Sequence, residues 1–265
     1  MTKHLFLCAV GRSGTTVFRT GLGQHPDVYY NGKENNVVQE ILNVAHRNCT
    51  MKSRKVSMVV DQERYDAIFR QTIESLIWPD QNLQGRPLRL AAINPGGGDL
   101  DYLQSLFPSS KLIGLVRNGI EVVSSRMAFD SFADSPFESH CEVWNRSIAV
   151  AKWGAENPDL FHLFRQEWFY QPDVLKDQLD RAFGWLDVRP SELVFNHINQ
   201  TLRHPTDSVA EIDAQKFAEA TDDQKKKYFL SKRDRWKSWS ETQRRTFADI
   251  CGAGMEQLGY VIPWA

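Results

Sequence analysis

The sequence predicts an α/β protein: a parallel β-sheet with helices on both faces, as in P-loop proteins. Short apolar runs alternate with longer segments of helical periodicity along most of the chain. The first apolar run ends in a small, hydroxyl-rich loop that leads into a helical pattern. At 265 residues the chain is long enough to bury roughly 70–75% of its unfolded surface. Because no repeat or low-complexity linker divides it, one domain spanning residues 1–265 is predicted.

The elements follow one another in alternating order. Apolar runs bounded by turn residues predict strands at 4–10, 27–30, 88–94, 111–116 and 160–165. Apolar residues three and four positions apart predict helices at 15–24, 36–47, 61–78, 99–107, 118–128, 137–156 and 171–185. Residues 129–136 and 188–235 show little periodicity, and we expect them to be loops that cover substrate and donor.

The loop after the first strand has the composition of an anion-binding cradle. It consists of Gly11, Arg12, Ser13, Gly14, Thr15 and Thr16. The glycines let backbone N–H groups converge, the following helix start adds partial positive charge, and the arginine adds a full one. The Walker A lysine is absent, since Thr15 stands in its place, so no magnesium-nucleotide site is evident. A plain strand-to-helix connector remains the alternative.

A second basic element follows the strand at 111–116. Arg117 lies at the carboxyl end of that strand, where ligands of open α/β sheets bind, and Ser125 lies two helical turns further on. The planar fork of arginine matches two phosphate oxygens at once, so the pair predicts a second phosphate site. The alternative is a surface or helix-capping arginine.

Together, the two elements resemble the donor-binding motifs of sulfotransferases that use 3′-phosphoadenosine 5′-phosphosulfate (PAPS). The similarity continues in the same order through residues 25–28, 102–108, 235–237 and 250–260, and so spans nearly the whole chain. It implies a sulfotransferase fold, transfer of a sulfuryl group from PAPS to a hydroxyl, release of adenosine 3′,5′-bisphosphate (PAP), and no metal. Arg12 stands where cytosolic small-molecule members usually carry lysine, so the resemblance is closer to the carbohydrate and tyrosylprotein branch.

The resemblance also implies roles for individual residues in donor binding. It places the 5′-phosphosulfate on the loop of residues 11–16 and the 3′-phosphate on Arg117 and Ser125. It places Lys232 and Arg233 in a late loop that closes over the adenosine and 3′-phosphate. A charge run of this kind is also typical of a solvated face.

Three residues are predicted to act in catalysis: Glu34, Arg12 and Lys33. Glu34 follows the second strand and resembles the glutamate base of heparan-type relatives, whereas residues 90–99 lack the histidine base of the small-molecule branch. Arg12 and the loop amides would stabilise developing charge, and Lys33 the departing bridge oxygen. The alternatives are a helix-stabilising acid at Glu34 and a solvent-exposed Lys33.

The overall charge, hydropathy and cysteine content of the chain argue against several classes of protein. A net charge of −1 and a pI near 6.7 provide no broad field for nucleic acid. The apolar runs are too short for a membrane span, and the first four residues show no signal-peptide pattern, so a cytoplasmic location is expected. The four cysteines and seven histidines lack metal-ligand spacing, so no metal site is predicted.

The predicted function is sulfuryl transfer to a hydroxyl acceptor, and the acceptor class remains open: a sugar, a phenol, a tyrosine or another alcohol. Two other functions are weighed against it. A P-loop phosphotransferase would need a Walker lysine and a magnesium-binding aspartate, which the motifs do not offer. A nucleotide-binding relative without catalysis would keep donor affinity but show no turnover.

Overall fold

A computed structural model of the chain describes residues 3–32, 36–50, 60–78, 85–94, 99–132, 134–203 and 234–264. The strands are β1 (Lys3–Cys8), β2 (Val28–Tyr30), β3 (Leu88–Ile93), β4 (Lys111–Val116) and β5 (Phe161–Arg165). The α-helices are α1 (Thr15–Leu22), α2 (Asn36–Thr50), α3 (Gln62–Ile77), α4 (Asp99–Leu106), α5 (Gly119–Met127), α6 (Phe137–Glu156), α7 (Pro172–Leu186), α8 (Glu192–Arg203) and α9 (Glu241–Gln257).

The five strands form one parallel sheet in the order β2-β3-β1-β4-β5. The α/β fold with a parallel sheet is therefore confirmed, and every predicted strand lies within two residues of its observed bounds. The central strand, β1, pairs with β3 on one side and β4 on the other. The carboxyl ends of β1 and β4 thus lie side by side, which brings the two predicted anion motifs together.

β1 is buried on both faces, and its side chains alternate between two cores. Leu5 and Leu7 pack with α1, α7 and α8 on one face, while Phe6 and Cys8 pack with α2, α3 and α4 on the other. A third cluster joins α5, α6 and α9 around the fully buried Trp144. The sheet therefore forms a rigid platform under the loops at its carboxyl edge.

The prediction that residues 188–235 form a loop is wrong for its first part. Helix α8 spans Glu192–Arg203 and buries Val194 and Ile198, four positions apart, against α1. The contact is close because Gly21 has no side chain: a Cβ there would lie 2.7 Å from Ile198 Cγ1. Residues 204–233 lie outside the described ranges. In the other predicted loop, residues 129–136, the chain forms a short 3-10 helix at Asp130–Phe132.

Within the part of the chain that the structure describes, no helix has the length and apolarity needed to cross a bilayer. Cys8, Cys141 and Cys251 are buried free thiols.

We expect His4 to make the fold less stable at acid pH. Its ring lies 4.9 Å from those of both Trp78 and Phe107. Burial, and then the charges of Arg89 and Arg70, lower its pKa from 6.5 to about 4, with Glu74 Oε1 at 3.3 Å from Nε2. Because the folded pKa is below the unfolded one, stability is complete above pH 6.5 and falls as the pH drops towards 4, by up to about 3 kcal/mol.

Urea unfolding at pH 7 and pH 4.5 measures this effect, with His4→Gln as the comparison. The variant should lose less of its free energy of unfolding on acidification than the wild type. An identical loss in both proteins would show that His4 does not contribute.

Candidate active site

The first element of the site is the loop between β1 and α1. At two positions its backbone adopts left-handed dihedral angles. Arg12 has φ 76° and Gly14 has φ 91°. A non-glycine residue held in this region is strained, and such strain is concentrated at functional sites. At Gly14 a Cβ would lie 3.0 Å from Gln166 Cγ, so both the conformation and the packing require glycine.

This loop has the properties of an anion cradle. Helix α1 begins directly after it, at Thr15, and has no acidic residue in its first turn. Its N-terminus therefore presents unopposed partial positive charge. Ser13 is fully buried, and its Oγ has no hydrogen-bond partner. A buried hydroxyl without a partner is rare in a finished structure, and a bound oxyanion would satisfy it.

The second motif contacts the first directly. Arg12 Nε donates to Ser125 Oγ at 3.1 Å, and the Arg12 guanidinium lies 4.5 Å from the centroid of the Phe129 ring. Arg117 Nη1 donates to the backbone oxygen of Arg12 at 3.0 Å. The structure thus brings Arg12 together with Arg117 and Ser125, which lie 105 and 113 residues further along the chain.

The guanidinium of Arg117 is held in place by two neighbours. Its Nε and Nη2 donate to Glu121 Oε2 at 3.0 and 2.8 Å, and its backbone oxygen accepts a hydrogen bond of 2.9 Å from the indole of Trp144. Glu121 lies on α5, one turn after Arg117, and Trp144 lies on α6. Arg117 is therefore positioned by the fold before any ligand arrives, which lowers the entropic cost of binding.

The positive charges in this region are close enough to influence one another. Burial, followed by the charges of Arg117 and Arg235, lowers the pKa of Arg12 from its ordinary value. A group of mutually repelling guanidinium ions is costly without counterions. The arrangement therefore favours an anionic ligand.

Sequence reasoning missed a set of hydrogen bonds that supports the second motif, centred on Glu167 and called the Glu167 brace below. The Glu167 carboxylate accepts from the Asn118 backbone N–H at 2.8 Å and from the Tyr260 hydroxyl at 3.1 Å. Asn118 Oδ1 in turn caps α5 by accepting from the Ile120 N–H at 2.9 Å. No local pattern signals this brace, because its members lie on three separate segments of the chain.

Two further buried residues, one of them beside the loop, were also outside the predicted set. Arg126, at the end of α5, is 8% exposed, and its Nη1 lies 3.7 Å from where a Cβ on Gly11 would be. Its guanidinium also lies 4.2 Å from the centroid of the Phe132 ring. His140 is 1% exposed, and its Nδ1 has no hydrogen-bond partner.

Four predicted site residues lie outside the described ranges, namely Lys33, Glu34, Lys232 and Arg233. Their roles stay predictions. Within the described residues, no group of three His, Cys, Asp or Glu side chains is arranged to hold a metal ion.

Comparison with known proteins connects this geometry to one family. The model of the Sulfotransferase family matches residues 4–174, a segment that contains both motifs. Protein-tyrosine sulfotransferase A of Caenorhabditis elegans is 26% identical over 206 residues, which cover 74% of this chain and 53% of that protein. Protein-tyrosine sulfotransferase 2 of Gallus gallus is 30% identical over 155 residues, covering 55% and 40%. The chain thus spans about half or less of the length of these curated relatives.

Solved structures share the fold over almost the full length. The sulfotransferase domain of the Synechococcus olefin synthase superposes with a TM-score of 0.58 at 17% identity, covering 99% of this chain and 96% of that one. A mouse sulfotransferase complexed with PAP superposes with a TM-score of 0.54 at 13% identity, covering 96% and 85%. At such low identities the likeness establishes a common architecture, while the family match rests on the sequence of residues 4–174. The chain belongs to the sulfotransferase family.

Proposed function

We propose that this chain transfers a sulfuryl group from PAPS to a hydroxyl-bearing acceptor and releases PAP. The contact between the two strand-end motifs carries the proposal: Arg12 bonds to Ser125, and Arg117 bonds to the Arg12 backbone. One ligand with two separate anionic groups accounts for both motifs. PAPS is such a ligand, with a phosphosulfate at one end of its ribose and a phosphate at the 3′ position.

The residues present fit the donor. The loop of residues 11–16 offers the buried Ser13 hydroxyl and a helix start free of acids. Arg117 and Ser125 supply a guanidinium and a hydroxyl for the 3′-phosphate. Lys232 and Arg233 remain proposed contacts to the adenosine and 3′-phosphate. The complex of the mouse sulfotransferase with PAP supports a nucleotide of this kind in a protein of the same fold.

Catalysis requires that negative charge on the leaving oxygen is stabilised and that the acceptor hydroxyl loses its proton. The donor supplies a sulfuryl group joined to phosphate through a bridging oxygen. Arg12, the loop amides and Lys33 stabilise the negative charge that grows on that oxygen as its bond to sulfur breaks. Glu34 accepts the proton of the acceptor hydroxyl while the new oxygen–sulfur bond forms. No step calls for a metal ion.

Calorimetric titration with PAP tests the donor assignment, with adenosine 5′-monophosphate and magnesium ATP as controls. Micromolar binding that depends on the 3′-phosphate and persists in EDTA would support the proposal. Preference for magnesium ATP would favour a phosphotransferase. Binding of PAP without turnover, across sugar, phenol, tyrosine and alcohol acceptors, would favour a non-catalytic relative. The single domain of residues 1–265 and the cytoplasmic location stay predictions.

Replacing Arg117 with alanine should weaken PAP binding by about tenfold or more, the loss of one charged hydrogen bond. Calorimetry measures this. Arg181→Ala is the matched control, because Arg181 also pairs with an acid four residues away, Asp177 at 2.9 Å, but its side chain is 66% exposed on α7. Arg117→Lys should fall between wild type and Arg117→Ala, since it keeps the charge and loses the fork.

Removing Arg117 also leaves Glu121 without this partner, so the melting temperature of each variant must be recorded beside its affinity. Equal PAP affinity in wild type and a folded Arg117→Ala protein would eliminate the second anion site.

A further inference from the structure

Arg126 is a buried cation to which the proposed donor contacts assign no role. It lies beside Gly11, at the opposite end of α5 from Arg117. Its Nε is buried without a hydrogen-bond partner, and no carboxylate of the described residues pairs with its guanidinium. The Phe132 ring compensates the charge in part, but it offers no lone pair to accept the N–H groups.

The surroundings of Arg126 increase its need for a counterion. Burial and the positive charges of Arg146 and Arg12 lower its pKa from the ordinary value. The neighbouring His140 adds no negative charge; burial and then the charge of Arg126 lower its pKa, although a hydrogen bond with the Ser135 backbone acts in the opposite direction. Proteins rarely keep a buried charge in this condition unless a ligand neutralises it.

We propose that Arg126 and His140 form an acceptor subsite that binds the carboxylate of a small hydroxy acid. This inference rests on the proposed function, because it places the acceptor hydroxyl near the sulfuryl group held by the loop. The position of Arg126 supports it: the guanidinium is adjacent to Gly11, the residue before Arg12. When the carboxylate of a short molecule binds Arg126, the rest of that molecule extends towards the loop.

The Arg126 guanidinium matches a carboxylate in charge and in shape. The planar edge of a guanidinium binds a carboxylate through two parallel hydrogen bonds. The buried Nδ1 of His140 supplies a second polar contact. The Phe132 ring covers one face of the guanidinium, which leaves its edge for the ligand.

Calorimetry with matched acids and amides tests the proposal. The probes are 3-hydroxybenzoate with 3-hydroxybenzamide, and 3-hydroxybutyrate with 3-hydroxybutyramide, titrated onto the protein alone and saturated with PAP. The wild type should bind at least one acid about tenfold more tightly than its amide. Arg126→Gln should abolish this discrimination, and Arg126→Lys should keep part of it. Arg146→Gln is the control, because it removes an exposed arginine from the same neighbourhood.

The outcomes separate this inference from the donor proposal. PAP affinity and melting temperature should change little in Arg126→Gln, whereas a loss of PAP affinity equal to that of Arg117→Ala would place Arg126 in the donor site. Failure of both acids to bind, discrimination that survives Arg126→Gln, or binding only of acidic peptides would overturn the subsite. Absence of PAP binding while Arg126-dependent discrimination persists would overturn the donor proposal alone.

Discussion

Glu34→Gln is expected to reduce the turnover number by about 10²–10⁴-fold while leaving PAP affinity unchanged. Glutamine has nearly the shape of glutamate and still forms hydrogen bonds, but it cannot take the proton that the acceptor hydroxyl must lose. The donor contacts lie on other segments, so nucleotide binding should not respond. Steady-state kinetics with an acceptor that the wild type sulfates, together with PAP calorimetry, separates the two effects.

Glu40→Gln is the matched control, since Glu40 is an exposed glutamate six residues further along, on α2. It should retain wild-type turnover. If Glu34→Gln turns over as fast as wild type with a genuine acceptor, the base lies elsewhere.

Arg12→Ala is expected to lower turnover by about 10²–10³-fold, as removal of one preorganised stabiliser of developing charge does in other group-transfer sites. The guanidinium is fixed by the Ser125 hydroxyl and the Phe129 ring, so it needs little reorganisation as charge develops. PAP affinity should fall less than turnover, because the loop amides still hold the ligand. Arg12→Lys should recover part of the rate, since it restores the charge without the planar fork.

Single-turnover rates at saturating PAPS measure the Arg12 effect free of binding, and Arg181→Ala again serves as the control. A variant whose affinity falls while its single-turnover rate stays at the wild-type value would make Arg12 a binding residue only.

The proximity of the two motifs is the part of the candidate site that parallel-sheet geometry determines. Arg12 and Arg117 each follow a buried strand, and carboxyl ends of parallel strands meet at one edge, so their proximity follows once β1 and β4 are recognised as neighbours. The five strands were predictable because each is a short apolar run bounded by turn residues.

The missed residues depend on packing between distant segments. Glu167 reaches Asn118 across 49 positions, and Trp144 reaches the Arg117 backbone across 27. Nothing in the local sequence marks either side chain as a partner. Arg126 is similar: at the end of a predicted helix an arginine is typical of a charge that stabilises the dipole, and only the fold buries it. Helix α8 was missed although Val194, Ile198 and Leu202 recur every fourth position; the glycine on α1 that it packs against is far away in the sequence and gives no local signal.

The Glu167 brace also bears on the order in which a nascent chain acquires its proposed donor site. The ribosome releases residues 11–16 and Arg117 early, yet Glu167 follows Asn118 by 49 positions and Tyr260 follows Glu167 by another 93. The Asn118 contact can form once residue 167 has been synthesised, whereas the Tyr260 contact requires synthesis to pass residue 260. Until then the emerging polypeptide carries both motifs with only part of the support behind the second, so completion of the proposed donor site is a late event in the biogenesis of the protein.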